Sequence, residues 1–274
     1  LVYHDGSFHE KSEVCIIKVL IIYMKNDFII PKEVTRITDT LENANFEAFL
    51  VGGCVRDLLL GREPKDWDIT TNATPEQLTA LFTDSFYENT FGTVGIVNRE
   101  TELDSLKTVE VTPYRLESTY SDNRHPDKVE FSTHIEDDLK RRDFTVNALA
   151  YSVSKKEVVD LYNGQQDLKD RIIRTVGKAS ERFQEDGLRI LRAVRFFTEL
   201  GFDISSDTEK GIIENTHLLK NISKERIRDE FTKLVMSPQP MSGINALRKL
   251  GLLQYIVPEL EKAVGIEQNQ AHAY

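Results

Sequence analysis

The stretch Phe49–Thr70, FLVGGCVRDLLLGREPKDWDIT, constrains the fold of this chain more than any other. Its apolar start reads as a strand, Gly52 and Gly53 end that strand, and the following CVRDLLL reads as a short helix stopped by Gly61. DWDITT then reads as the next strand. Alternate strand residues share a face, so Asp66 and Asp68 point one way while Trp67 points toward a core. Two carboxylates on one face repel each other, and a divalent cation relieves that repulsion. Mg²⁺ suits the arrangement, because it takes one or two carboxylates and completes its shell with water and substrate phosphates. Backbone N–H groups at a strand-to-helix glycine turn make an anion site. A phosphate-holding turn beside a metal-holding carboxylate pair points to phosphoryl or nucleotidyl transfer. Either half alone says little, since D-x-D arises easily in an acidic chain and Gly-Gly is commonly only a turn. An EF-hand reading fails because its sixth position is Thr71 and not glycine.

The rest of the chain fits a mixed α/β unit followed by helices. The spacing of Val34, Ile37, Leu41 and Ala44 predicts a helix over 31–44. Thr74, Pro75 and Gln77 form a capping-box start for the helix TPEQLTALF. FGTVGIVN and KTVEVTPYR read as strands, IEDDLKRRDFTVNALAY as one helix and EVVDLYNG as a strand. From Gln165 onward the chain reads as helical, with helices near 179–200, 206–217, 223–236 and 240–250. A domain boundary is placed near 165–178.

Net charge is −10 over 274 residues, which excludes a generally basic nucleic-acid binder and leaves only a local patch. Residues 169–196 supply one, with eight Lys or Arg against four acids, a local net of +4. Lys178 and Arg182 within it are candidate RNA contacts. The two cysteines, Cys15 and Cys54, form no CxxC, which argues against a disulfide framework or cysteine zinc site and favours a reducing, cytoplasmic setting. The apolar run at 14–23, broken by Lys18, is too short to span a bilayer. Residues 1–27 are set apart as an N-terminal extension, either outside the fold or a short added strand or helix.

The order Gly-Gly, short helix, D-x-D resembles the nucleotidyltransferases of the DNA polymerase β superfamily. RRDFTVNALAY (141–151), EDGLRILRAVRFFTELGFDI (185–204) and NISKERIRDEFTKLVMSPQP (221–240) are similar to motifs of the class II tRNA nucleotidyltransferases, the CCA-adding enzymes, and their bacterial poly(A) polymerase relatives. The resemblance runs from about Phe28 to the end of the chain. It implies an α+β fold: a catalytic head over 28–168 with a mixed sheet, then an all-α neck and truncated body over 169–274. It also implies a third carboxylate on a neighbouring strand, which Glu110 offers on the face opposite Val109 and Val111. On the family pattern Gly52, Gly53 and Arg56 support the triphosphate, and Arg142 pairs with phosphate oxygens. Asp143 and Asn147, four apart on one helix face, read the ribose. Asp122 and Arg124 match the family's flexible loop.

Asp186 and Arg189, three apart on a helix, present an acceptor beside a donor. That pair matches the amino group and bare ring nitrogen shared by cytosine and adenine, and rejects uracil and guanine. The implied activity is template-independent addition of CMP and AMP to a tRNA 3′ end. CTP and ATP are the substrates and two Mg²⁺ ions the cofactors, held by Asp66 and Asp68, with Glu110 assisting. The alternatives are a poly(A) polymerase or A-adding enzyme, and a truncated, non-catalytic RNA-binding relative. No membrane partner is expected, and the oligomeric state is left open.

Overall fold

The computed structural model describes residues 27–87, 92–117, 129–263 and 265–266. The expected N-terminal extension, apart from Asp27, and the loop residues Asp122 and Arg124 lie outside them. The elements, in order, begin with α1 (Lys32–Asn43), β1 (Ala48–Val51), α2 (Gly53–Leu59), β2 (Asp68–Thr71) and α3 (Pro75–Leu81). Next come β3 (Ser85–Tyr87), β4 (Val94–Val97), α4 (Asp104–Lys107), β5 (Thr108–Pro113), β6 (Arg115–Glu117) and β7 (Val129–Phe131). After α5 (Ile135–Lys140) and a 3₁₀ turn at Thr145–Asn147 come β8 (Leu149–Ser152), β9 (Glu157–Asp160), α6 (Gly164–Asp170) and β10 (Ile172–Ile173). The helical part holds α7 (Ala179–Glu185), α8 (Leu188–Leu200), β11 (Asp203–Ile204), α9 (Ser206–Asn215), α10 (Lys224–Val235), α11 (Pro240–Lys249), α12 (Leu253–Ile256) and α13 (Pro258–Lys262). Among the described residues no helix is long and apolar enough to cross a membrane.

Seven strands form one sheet in the order β3-β4-β5-β2-β1-β8-β9, with β2 and β5 parallel and the other neighbours antiparallel. Alternation sorts its side chains. Leu50, Ile69, Ile96, Val109 and Val111 join the main core with Val34, Ile37 and Leu41 of α1 and Leu78 of α3. Val51 and Ala150 face the other way, into a smaller cluster with Tyr114, Ile135 and Leu139. The α3 capping box forms as the sequence predicts: the Thr74 N–H donates to Gln77 Oε1 at 2.8 Å, and the Gln77 N–H donates to Thr74 Oγ1 at 3.4 Å.

Four expectations are corrected. First, β2 begins at Asp68, so Asp66 lies in the bend before it. The β1 partner strand ends at Val51, where Gly52 turns away, so β1 offers no residue opposite Asp66. The alternation persists in burial even so, because Trp67 is buried between the exposed Asp66 and half-buried Asp68. Second, the single helix expected over 135–151 is three elements. Asp143 Oδ1 takes the Phe144 N–H at 2.8 Å and the Thr145 N–H donates to the Arg174 carbonyl at 2.9 Å, which diverts the backbone from the helical ladder. The apolar run that follows pairs as β8 between β1 and β9. Third, the helix expected over 179–200 breaks at Asp186, whose backbone is extended (φ −145°, ψ 107°) and whose Oδ1 accepts from the Leu188 N–H at 3.0 Å. Fourth, the helical part contains a two-stranded parallel pair, β10 with β11.

The main core continues from the sheet into the helical part. Phe144, just before the 3₁₀ turn, meets Phe196 of α8 edge to face at 5.7 Å, and both are buried. One shared core implies one cooperative unit. Phe144→Ala should cost about 3–5 kcal/mol. Trp67, the chain's single tryptophan, reports the sheet, and far-ultraviolet dichroism reports the helices. Both signals should shift to the same lower urea midpoint, and separate midpoints would show that the core is not shared.

Candidate active site

The carboxylate face is built by strand register. Asp68 on β2 sits opposite Glu110 on the parallel β5, so both side chains leave the same face of the sheet. Thr70 Oγ1 donates to the Thr112 carbonyl at 3.0 Å and ties the two strands one step further on. Asp66 stands exposed two residues before Asp68, and the buried Trp67 anchors the bend between them. Beneath lies Cys54, whose thiol donates to the Val51 carbonyl at 3.3 Å. Burial, then the charge of Asp68, push that thiol up to about 12, so it stays protonated and is a poor metal ligand. Among the described residues no three His, Cys, Asp or Glu side chains gather into a group that could hold a metal ion. This donor set is unlike a closed structural metal cage. It fits a hard divalent cation that takes one or two carboxylates and leaves the rest of its shell to water and phosphate.

The glycine turn lies next to two guanidinium groups. Gly52 has φ +80° and ψ −128°, and a Cβ there would fall 2.9 Å from Arg142 Nη1. Glycine is required on both counts. Arg142 is oriented by Asp138, which accepts from its Nη2 at 2.9 Å and from Arg141 Nη2 at 2.5 Å. Burial would raise the Asp138 carboxyl, but the two arginines hold it below its ordinary value. The Arg142 Nε is buried and has no acceptor among the described residues. Arg56, one turn into α2, grips Asp57 with two bonds of 2.9 and 3.1 Å and donates from Nη1 to Asn147 Oδ1 at 2.7 Å.

Asp143 and Asn147 are not on a common helix, yet the 3₁₀ turn still brings them together, with Asn147 Nδ2 3.4 Å from Asp143 Oδ1. Asp143 Oδ2 accepts from Arg192 Nε at 2.7 Å. Burial would raise the Asp143 carboxyl, but Arg192 and Arg189 beside it, with the bonds from Arg192 and the Phe144 N–H, hold it at about 2. Arg56, Arg192 and Arg195 all lie over the Phe196 ring, at 5.6, 5.4 and 4.2 Å from its centre. Sequence reasoning missed Arg192, Arg195 and their partner Glu230, which accepts from Arg195 Nε at 2.7 Å. The signal was available: Arg192 and Arg195 continue from Arg189 at every third residue along one helix, where the sequence reading uses them only as net charge.

Asp186 and Arg189 do not form a side-by-side pair on one helix. Asp186, just before the Gly187 N-cap of α8, accepts the Leu188 N–H and is held by Arg226 of α10 through bonds of 3.2 and 2.7 Å. Arg189 donates to Glu185 Oε2 at 2.5 Å and to the carbonyls of Arg182 and Arg141 at 3.2 and 3.0 Å. Arg182 is also committed, to Glu185 and to the Lys140 carbonyl, so it joins α7 to the end of α5 rather than standing ready for RNA. Lys178 is exposed and pairs with Glu181 at 3.0 Å.

Turn, carboxylate row and arginines together define a nucleotidyltransferase head, and comparison with known proteins agrees. Residues 48–174 match the family described as the poly A polymerase head domain, and 201–264 match the probable RNA and SrmB-binding site of polymerase A. The chain is 44% identical over 238 residues to the CCA-adding enzyme of Lactiplantibacillus plantarum, covering 86% of this chain and 56% of that protein. It is 49% identical over 203 residues to the CCA-adding enzyme of Lactobacillus helveticus, covering 74% and 49%. It superposes on the crystal structure of the Bacillus stearothermophilus CCA-adding enzyme in complex with CTP with a TM-score of 0.74 and 38% identity, over 83% of this chain and 54% of that one. The chain therefore spans about half the length of the curated relatives it matches. It belongs to the family of class II tRNA nucleotidyltransferases and bacterial poly(A) polymerases.

The Asp143 carboxylate yields a pH prediction. Its titration is lowered from 3.8 to about 2 in the fold. It therefore contributes on the order of 2 kcal/mol, fully present above the unfolded value and lost as pH falls through about 2. Asp143→Asn should lower stability by that order at pH 6, and the gap to wild type should close between pH 4 and pH 2 in urea titrations. A gap independent of pH would show that the carboxylate charge is not what the fold uses.

Proposed function

We propose that this chain carries the catalytic part of a CCA-adding enzyme, extending the 3′ end of tRNA with CMP and AMP from CTP and ATP. The observation that carries the reading is the Gly52 turn, a backbone that only glycine adopts, packed against Nη1 of Arg142, whose buried Nε has no acceptor among the described residues. Such a donor calls for an anion, and a guanidinium matches phosphate oxygens with its planar fork. The names of the relatives, one of them bound to CTP and another a tRNA nucleotidyltransferase complexed with a primer tRNA and an incoming ATP analog, support the same substrates.

In this reading Arg142 and the turn at Gly52 and Gly53 hold the triphosphate, with Arg56 positioned behind them. Asp143 and Asn147 face the ribose. Glu110 accepts the proton of the RNA 3′ hydroxyl. A divalent ion, Mg²⁺ by its fit to carboxylates and phosphates, would be held by Asp66 and Asp68 and would supply positive charge to the reacting phosphate. Asp186 and Arg189 read the base edge, which requires Arg226 and Glu185 to release them first. Lys178 lies on the RNA path along the basic segment of the neck, with residues 28–168 as head and 169–274 as neck and partial body. The setting is cytoplasmic, where tRNA is found.

The assay is extension of tRNA transcripts ending before CCA, with each NTP separately and together. The expected result is C then A addition by wild type. Extension by ATP alone, without CTP, would place the chain with the A-adding or poly(A) enzymes, and no extension with intact tRNA binding would mark a binding protein. Asp68→Ala should abolish addition with the fold intact. Asp186→Ala should lose CTP and ATP incorporation and narrow the gap to UTP and GTP, by roughly the 1–3 kcal/mol of one bidentate base contact. Unchanged incorporation ratios would remove Asp186 from base selection.

A further inference from the structure

We propose that Phe86 is the platform on which the terminal base of the RNA stacks, an inference that rests on the RNA-extending reading above. The register of four adjacent strands sets Phe86, Gly95, Glu110 and Asp68 in one transverse row: Phe86 opposite Gly95, Gly95 opposite Glu110, Glu110 opposite Asp68. Members of such a row leave the same face of the sheet. The flanking pairs, Ile96 with Val109 and Val94 with Val111, are buried in the core, so the Phe86 row lies on the carboxylate face.

Gly95 lets the ring reach inward. A Cβ at that position would lie 2.6 Å from Phe86 Cζ and 2.9 Å from Cε1, so the far edge of the ring occupies the space above the glycine. Neighbouring strands stand about 5 Å apart, which leaves the ring edge about one strand spacing from the Glu110 column. The ring is nonetheless 45% exposed. A large aromatic surface is thus held open beside the carboxylates instead of being packed into the core on the sheet's other face.

The chemistry of the reaction selects the occupant. The RNA must bring its 3′ hydroxyl to Glu110 and Asp68, and the base on that same sugar then falls beside the carboxylate column, where the ring is. Stacking on an aromatic side chain tolerates every base, because each has a π face. That tolerance suits an enzyme whose substrate ends in a different nucleotide after each addition. The incoming nucleotide, in the reading above, is met instead by Asp186 and Arg189 at the start of α8. A second role for the ring, merely covering a strand glycine, predicts an effect on stability alone.

The experiment uses the whole chain, tRNA ending before CCA, and the same tRNA with 2-aminopurine as its last base. Phe86→Ala should raise KM for tRNA roughly ten-fold, the effect of losing one stacked base, with KM for CTP unchanged. Phe86→Tyr should restore it. Binding to wild type should quench the 2-aminopurine, and binding to Phe86→Ala should not. Gly95→Ala, whose methyl would displace the ring, should behave like Phe86→Ala with the aromatic still present. The quench needs no turnover. Quenching by wild type without extension would therefore contradict the activity and support the platform. Extension without quenching, or equal tRNA KM for Phe86→Ala and wild type, would overturn the platform while the activity stands.

Discussion

Asp143 joins the two parts of the site. Its carboxylate leaves the head just before the 3₁₀ turn and meets Arg192 of α8 at 2.7 Å. It also accepts the Phe144 N–H and lies within reach of Asn147, whose own oxygen holds Arg56 behind the glycine turn. The glycine turn, the 3₁₀ turn and α8 are thereby connected through one buried charge. An unpaired charge in that position would cost several kcal/mol, so the head and α8 are bound to a single relative placement. Arg192, Arg195 and Arg56 around Phe196 extend the same lock with apolar contact to the guanidinium planes.

The α10 helix supplies the counter-charges. Glu230 holds Arg195, and Arg226 holds Asp186. Asp186, which the proposed function places at the base edge, is therefore held by a protein partner in this structure. Glu185 fills the role for Arg189. Under the base-reading role proposed above, an incoming base has to match these ion pairs in hydrogen-bonding strength to displace them, which favours a base presenting both an amino group and a bare ring nitrogen over one that satisfies only half the site.

Much of this was legible in the sequence. The glycine pair, the capping box at Thr74 and the outward position of Glu110 follow from local rules, and the structure keeps them, whereas of the two aspartates only Asp68 lies on a strand. The neck helices α9, α10 and α11 fall within a few residues of their expected bounds because of their apolar spacing. Readings failed where side chains compete with the backbone. Asp143 takes its neighbour's N–H and ends a helix that periodicity would have continued, and Asp186 does the same at the α7–α8 break. The ion-pair partners Arg226 and Glu230 were invisible because they lie about 40 residues from the groups they hold, and only the packed fold brings them near. The Phe86 row needed strand order and register, which no local pattern contains.

The central claim is that Asp143 and Arg192 act as one unit that positions head and neck around a nucleotide. A double-mutant cycle with Asp143→Asn and Arg192→Gln, read as the dissociation constant for CTP by calorimetry, tests it most directly. Coupled groups predict that each single variant weakens CTP binding about as much as the double variant does, with an interaction energy of at least about 1 kcal/mol. Losses that simply add, or CTP affinity unchanged in all three variants, would contradict the account.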